Sequence, residues 1–251
     1  MANAVEQHAR KTRGFEARVA HAVALLREAA EDHAGSIVQS SSLGVEGMVL
    51  TDMIARHQLP ITVATLDTGK LHAETLALIP RIEQRYGLQV QVFKPQAEAV
   101  VHFVRRHGDL AMRQSVDLRK SCCEVRKVEP MQRLLAGRTA WVTGLRREQS
   151  ETRAHVPFFE IDGEGREKFY PLADWSEADV WQYVKQFNVP YNELHDQFFP
   201  SIGCEPCTRA IATGEDHRAG RWWWEQEGAA KECGLHMSSL LRHQASAAVA
   251  A

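Results

Sequence analysis

Five cysteines carry most of the chemistry that this 251-residue sequence can offer. Cys122 and Cys123 are adjacent in Lys120-Ser-Cys-Cys, Cys204 and Cys207 form a Cys-x-x-Cys, and Cys233 stands alone in Lys231-Glu-Cys-Gly-Leu-His236. An odd count with this pairing does not read as a secreted disulfide framework. Cys-x-x-Cys brings two thiolates to one ion or cluster, and Cys-Cys can bring two more. Four thiolates suit zinc or an iron–sulfur cluster. A different set, Cys204, Cys207, Cys233 and His236, has the spacing of a structural zinc site but leaves Cys122 and Cys123 without a role. Buried, inert thiols are the bland alternative. Cys233 has Lys231 and His236 nearby to stabilise a thiolate and Gly234 for backbone freedom, so it reads as a nucleophile. The competing reading is an incidental cysteine near a terminus.

Three further segments suit an anion or a nucleoside. Ser40-Ser41-Ser42-Leu43-Gly44 lies between a strand and a helix start, where hydroxyls and free amides can hold phosphate or sulfate. Leu66-Asp67-Thr68-Gly69 can hold a ribose or base through a carboxylate and loop amides, or be an ordinary turn. Gly144 to Arg153 follows a strand and includes Arg146, whose fork suits phosphate oxygens. The plain reading there is a solvated loop with local ion pairs. No Gly-x-x-x-x-Gly-Lys-Ser/Thr occurs.

The elements that must position these residues alternate. Phe15, Val19, Val23 and Leu26 recur at helical spacing. A short, partly apolar stretch runs from Ser36 to Ser40, and a helix is predicted over Val45–Arg56. Strands are expected at Ile61–Thr65, Gln89–Phe93 and Trp141–Gly144. Helices are expected at Leu71–Tyr86, Glu98–His107 and Ser176–Phe187, the last with Ser176 as N-cap. The cysteine pair at 122–123 is placed at the start of a further helix. This alternation predicts an α/β fold, a parallel twisted sheet with helices on both faces. Ligands of such sheets sit beyond the carboxyl ends of the strands, where the Ser and Asp-Thr-Gly loops fall. The chain is read as one domain over 1–251, with an irregular, cysteine-bearing extension from roughly 200 to 251. Trp222, Trp223 and Trp224 are read as packing that extension down, or as part of a lid or docking surface.

Composition narrows the classes. A net charge of −2 and an ordinary 44% hydrophobic fraction give no reason to expect a nucleic-acid or membrane partner. No stretch approaches the roughly 20 apolar residues of a membrane span. The opening residues lack the apolar core of a signal peptide, so the cytoplasm is the expected location. Oligomeric state is left open.

Taken together, Lys-Ser-Cys-Cys at 120–123, Gly-Cys-Glu-Pro-Cys-Thr-Arg at 203–209 and Glu-Cys-Gly-Leu-His at 232–236 resemble the assimilatory sulfonucleotide reductases, and the likeness runs from the Ser loop to His236. The resemblance implies an adenine nucleotide α-hydrolase-like sheet related to the ATP pyrophosphatases. It implies that Cys122, Cys123, Cys204 and Cys207 ligate one 4Fe-4S cluster and that Cys233 is the nucleophile. Lys127, Arg218, Arg221 and His236 match the family's contacts to the substrate anion, Ser40 to Ser42 its phosphate loop, and Leu66 to Gly69 its nucleoside-holding segment. The implied reaction reduces adenylyl sulfate to sulfite and AMP, with thioredoxin as electron donor and a sulfocysteine intermediate on a mobile C-terminal segment. The four cluster cysteines point to adenylyl sulfate rather than its 3′-phosphorylated form, which remains the runner-up alongside dual specificity. A tRNA-thiolating enzyme would need the Ser-Gly-Gly-x-Asp-Ser loop, and this chain has Ser-Ser-Leu-Gly-Val-Glu instead. A non-catalytic zinc module is the remaining alternative.

Overall fold

The computed structural model describes residues 2–225, so Cys233 and His236 lie outside the described residues. Six strands form one sheet: β1 (Ile37–Ser41), β2 (Thr62–Leu66), β3 (Gln91–Phe93), β4 (Ala140–Val142), β5 (Phe159–Ile161) and β6 (Glu167–Phe169). Their spatial order is β3-β2-β1-β4-β6-β5. All neighbours run parallel except β5, which pairs antiparallel with β6 at the edge. The chain steps from β1 through β2 to β3 on one side, then returns to place β4 on the other side of β1. That reversal is a topological switch point, and it opens a crevice at the strand ends.

Alternate residues of the central strands feed two cores, as the two-residue period of a strand requires. Ile37, Val63, Ala140 and Val142 pack with α2 (Phe15–Asp32), α3 (Val45–Arg56), α4 (Ala73–Tyr86) and α8 (Glu177–Phe187). Val38, Ala64 and Trp141 pack on the opposite face with Met131, Leu134 and Leu135 of α7 (Glu129–Leu135). A short α1 (Ala4–His8) and α5 (Ala97–His107) complete the layers. Ser176 caps α8 through the Asp179 amide, with the reciprocal Asp179 contact of a capping box. No helix among the described residues is long and apolar enough to cross a membrane.

Two features depart from the sequence reading. The cysteine pair ends α6 (Val116–Cys123) instead of starting a helix, because Ser115 already caps that helix by accepting from the Leu118 amide. Helix continues past the pair through a wider turn of π geometry at Glu124–Val128 into α7. Such turns recur at functional sites. The β5–β6 hairpin is additional. Asp162 closes it by accepting from the Glu164 and Arg166 amides, the Arg166 guanidinium and the Trp141 indole.

Helix α3 is anchored by a buried carboxylate. Asp52 is fully buried and accepts from Tyr86 and Tyr183, each at 2.9 Å, and from Arg56 Nε at 3.1 Å. Both phenols are pushed up in pKa, by burial first and by Asp52 second, so they stay protonated donors. Asp52→Ala should strand those donors in the core. Denaturant unfolding should show a loss of about 3 kcal/mol or more, and a loss under about 1 kcal/mol would mean that the clamp is not structural.

Candidate active site

A cleft of about 1340 Å³, counting its solvent-open part, lies beyond the carboxyl ends of β1, β2 and β4. Ser40, Ser41 and Ser42 form one wall. The Ser41 and Ser42 hydroxyls accept from the Leu43 and Gly44 amides, which turns the loop sharply, and Leu43 takes a left-handed φ of 59°. The turn delivers the start of α3 to the cleft, and Gly44 caps it with no side chain over its amides. A bare helix N-terminus of this kind attracts anions. Gly47 lets α3 sit this close, since a Cβ there would stand 2.6 Å from Ser41 Oγ.

The other anticipated residues divide. Leu66, Thr68, Lys127, Gly144, Arg218 and Arg221 line the cleft. Asp67, Gly69 and Arg146 do not. Asp67 turns inward on its own loop, accepting from the Gly69 amide at 3.0 Å and facing Lys94 at 3.5 Å. Gly69 supplies the left-handed φ of 68° that the turn needs, with Arg126 donating beside it to the Thr68 carbonyl. Arg146 is buried and committed to Glu46, Glu148 and the Trp175 carbonyl. Its role is to hold Glu46, a cleft residue that sequence reasoning missed. Burial opposes ionisation of Glu46, but Arg146, its own backbone and Gln149 prevail and hold its pKa at about 2. Gln149 and Arg153 also line the cleft, joined at 2.7 Å.

His195 was missed as well. Burial lowers its pKa to about 4, so the ring is neutral, and neither ring nitrogen has a partner among the described residues. It lines the cleft with its ring edge-on to Trp181 at 5.2 Å. A lone histidine in an irregular segment carries no signal that sequence alone could have used.

A second, smaller cavity adjoins the first. Cys122, Cys123, Cys204 and Cys207 all line it, together with Lys70, Arg119, Arg126 and Lys127. Cys204 and Cys207 lie on one tight turn, with the Cys207 amide donating to the Cys204 carbonyl at 2.9 Å. The turn is tied to the loop that begins at Leu66: the Glu205 amide donates to the Lys70 carbonyl, and the Thr68 hydroxyl lies 3.2 Å from Cys204 Sγ. Burial raises the pKa of Cys122, and burial with Cys204 nearby pushes Cys207 up to about 12. Lys70 and Arg119 are met by Asp109 and Glu225, while Arg126 and Lys127 stand beside thiols that burial keeps from ionising, a lining that suits added negative charge. A metal group that takes up thiolates in place of thiols would supply it. The donor set therefore fits such a group. Among the described residues, no three His, Cys, Asp or Glu side chains are arranged to hold a metal ion. Lys127 and Trp222 line both cavities and form the wall between them.

Residues 36–210 match the model of the phosphoadenosine phosphosulfate reductase domain. The chain belongs to that family. It is 53% identical over 225 residues to adenosine 5′-phosphosulfate reductase of Burkholderia cepacia, covering 89% of each chain. It is 52% identical over 231 residues to the enzyme of that name from Allochromatium vinosum, covering 92% of this chain and 90% of the other. The phosphoadenylyl-sulfate reductase of Candida auris, solved as a phosphate complex, matches with a TM-score of 0.64 at 28% identity, over 78% of this chain and 97% of that one. FMN adenylyltransferase of Candida glabrata shares the fold alone, with a TM-score of 0.53 at 16% identity, over 92% of this chain and 82% of that one. The mostly parallel sheet with helices on both faces, expected from the sequence, is thus a fold that this chain shares with both of these solved structures.

Arg146→Met should act on this site through stability and charge. Removing one partner of a buried pair should cost about 3 kcal/mol or more in denaturant unfolding. Burial, no longer offset, should raise the Glu46 pKa from about 2 in a carboxylate titration followed by NMR. An unmoved Glu46 would contradict the pairing.

Proposed function

We propose that this member of the reductase family reduces adenylyl sulfate to sulfite and AMP, the step that yields sulfite in sulfate assimilation. The observation that carries the reading is the pair of adjoining cavities, one lined by the serine loop and the start of α3 and one by four cysteines, with Lys127 in the wall of both. The names of the curated relatives support adenylyl sulfate as the substrate.

In this reading the start of α3 and the serine loop receive the nucleotide phosphate, while Leu66 and Thr68 flank the nucleoside. Lys127, Arg218 and Arg221 face the sulfate. Cys233 and His236, outside the described residues, complete the site as nucleophile and anion contact. The Cys233 thiolate attacks the sulfate sulfur, the sulfur–oxygen bond to AMP breaks, and the cysteine carries the sulfonate. A thioredoxin thiolate then attacks Cys233 Sγ, sulfite leaves with its electron pair, and the second thioredoxin cysteine resolves the mixed disulfide. An anionic nucleophile meeting an anionic sulfate needs compensation, and the cations of the cleft wall offset that repulsion. Cys122, Cys123, Cys204 and Cys207 would hold a 4Fe-4S cluster. When bound it would supply a fixed charge beside Lys127, while the electrons come from dithiols. Two cysteine pairs that line one cavity support a four-cysteine metal group.

Protein purified without oxygen should be brown, carry roughly four iron atoms per chain, and release sulfite from adenylyl sulfate with reduced thioredoxin. Cys233→Ser should abolish sulfite release and keep the visible absorption. A serine variant that retains substantial activity, or a colourless zinc protein, would contradict the reading.

A further inference from the structure

Arg221 is more than nine-tenths buried, and its guanidinium lies in a slot. On one side the Trp222 ring centroid is 4.7 Å from its central carbon. On another is the bare Cα of Gly203, where an added Cβ would stand 2.3 Å from Nη2 and 2.6 Å from the central carbon. The slot is made by chain pairing: residues 208 and 221 form an antiparallel bridge, the Arg209 amide donates to the Gly220 carbonyl, and the Trp222 amide reaches the Cys207 carbonyl at 3.3 Å. Within it the guanidinium is poorly satisfied. Among the described residues Nε is buried without a partner, and Nη1 reaches Ser201 Oγ and the Ile202 carbonyl only at 3.5 Å. A buried, underused donor on a cleft wall is a donor held for a ligand.

Trp222 is itself unusual. It is buried, it takes a left-handed φ of 46°, and it walls both cavities. A bulky residue holds such a backbone only where its surroundings impose it. On the cysteine side Arg119 lies 4.6 Å from the same ring centroid and pairs with Glu225. Arg218, a second cation of the larger cleft, lies 6.0 Å from that centroid, so the indole is held from the cysteine side by Arg119 and meets cations of the cleft with the same ring.

We propose that Trp222 and Gly203 are positioning residues that clamp Arg221 so that its guanidinium meets the anionic part of the nucleotide. This rests on the reading of the larger cleft as a nucleotide site. The Trp222 face fixes the plane of the fork by cation–π contact. Gly203 leaves the space that the fork occupies. Neither residue needs to touch the ligand, and the clamp acts on its charged part alone.

The test is equilibrium binding of AMP and of adenosine to the full-length protein, with folding of each variant followed by circular dichroism. Trp222→Leu and Gly203→Ala should each weaken AMP by about tenfold or more, while adenosine changes by less than about twofold. Trp222→Phe keeps a ring face and should recover most of the AMP affinity. In an Arg221→Leu background, Trp222→Leu should add less than about twofold, and a larger added loss would assign the effect of the indole to Arg218 and overturn the clamp on Arg221. If the leucine variant does not fold, Gly203→Ala carries the test, since its added methyl meets the end of a flexible side chain. Variants that hold AMP as tightly as the unaltered protein, or that lose AMP and adenosine equally, would overturn the clamp while the nucleotide reading stands. Unaltered protein that binds neither ligand would overturn that reading and the clamp with it.

Discussion

At the switch point, α3 has to lie against the ends of β1 and β4 with almost nothing between them. Two absent side chains make that possible. A Cβ at Gly47 would stand 2.6 Å from Ser41 Oγ, and one at Gly144 would stand 2.8 Å from Glu46 Cβ. Gln39 adds a buried tie, donating to the Gly47 carbonyl and accepting from Thr51. This close approach aims the bare amides of α3 into the crevice and brings Glu46 to Arg146. The strand order opens the crevice, and the missing Cβ atoms let a helix N-terminus reach it.

Charge is the second organising constraint. The two cavities together are faced by Lys70, Arg119, Arg126, Lys127, Arg153, Arg218 and Arg221. Concentrating cations in partly buried space costs solvation unless anions arrive to meet them. Some are met within the protein, as Lys70 is by Asp109 at 2.7 Å and Arg119 by Glu225. Arg221 keeps a buried Nε with no partner among the described residues. The helical stretch from Val116 to Leu135 links the two demands. It presents a cysteine pair, then passes through a wider turn that contains Lys127. One element thus serves both the thiol cavity and the anion cleft.

Much of this was legible in the sequence because its signals are local. β1, β2, α3, α4 and α8 follow from periodicity and capping within a few residues of the positions expected. The two cysteine pairs announced a shared site through their spacing. The unread parts depend on partners distant in sequence. Arg146 looks like any loop arginine, and only the fold shows that it is buried against Glu46, a hundred positions away. In the sequence Asp67 reads as a ribose contact or an ordinary turn residue, and only the fold shows that its carboxylate accepts from the Gly69 amide of its own turn. The β5–β6 hairpin has three residues per strand with mixed polarity, too short for alternation to register. His195 and the Trp222 wall belong to irregular segments whose place is set by packing alone.

The claim at the centre of the account is that this family member acts on the unphosphorylated nucleotide. Sulfite release should be measured with adenylyl sulfate and its 3′-phosphorylated form at equal, subsaturating concentration, in anaerobic protein with reduced thioredoxin. The account predicts strong preference for adenylyl sulfate in kcat/KM. Preference for the 3′-phosphorylated substrate would contradict it, leaving the fold and the two cavities in place but assigning the cleft to a different nucleotide.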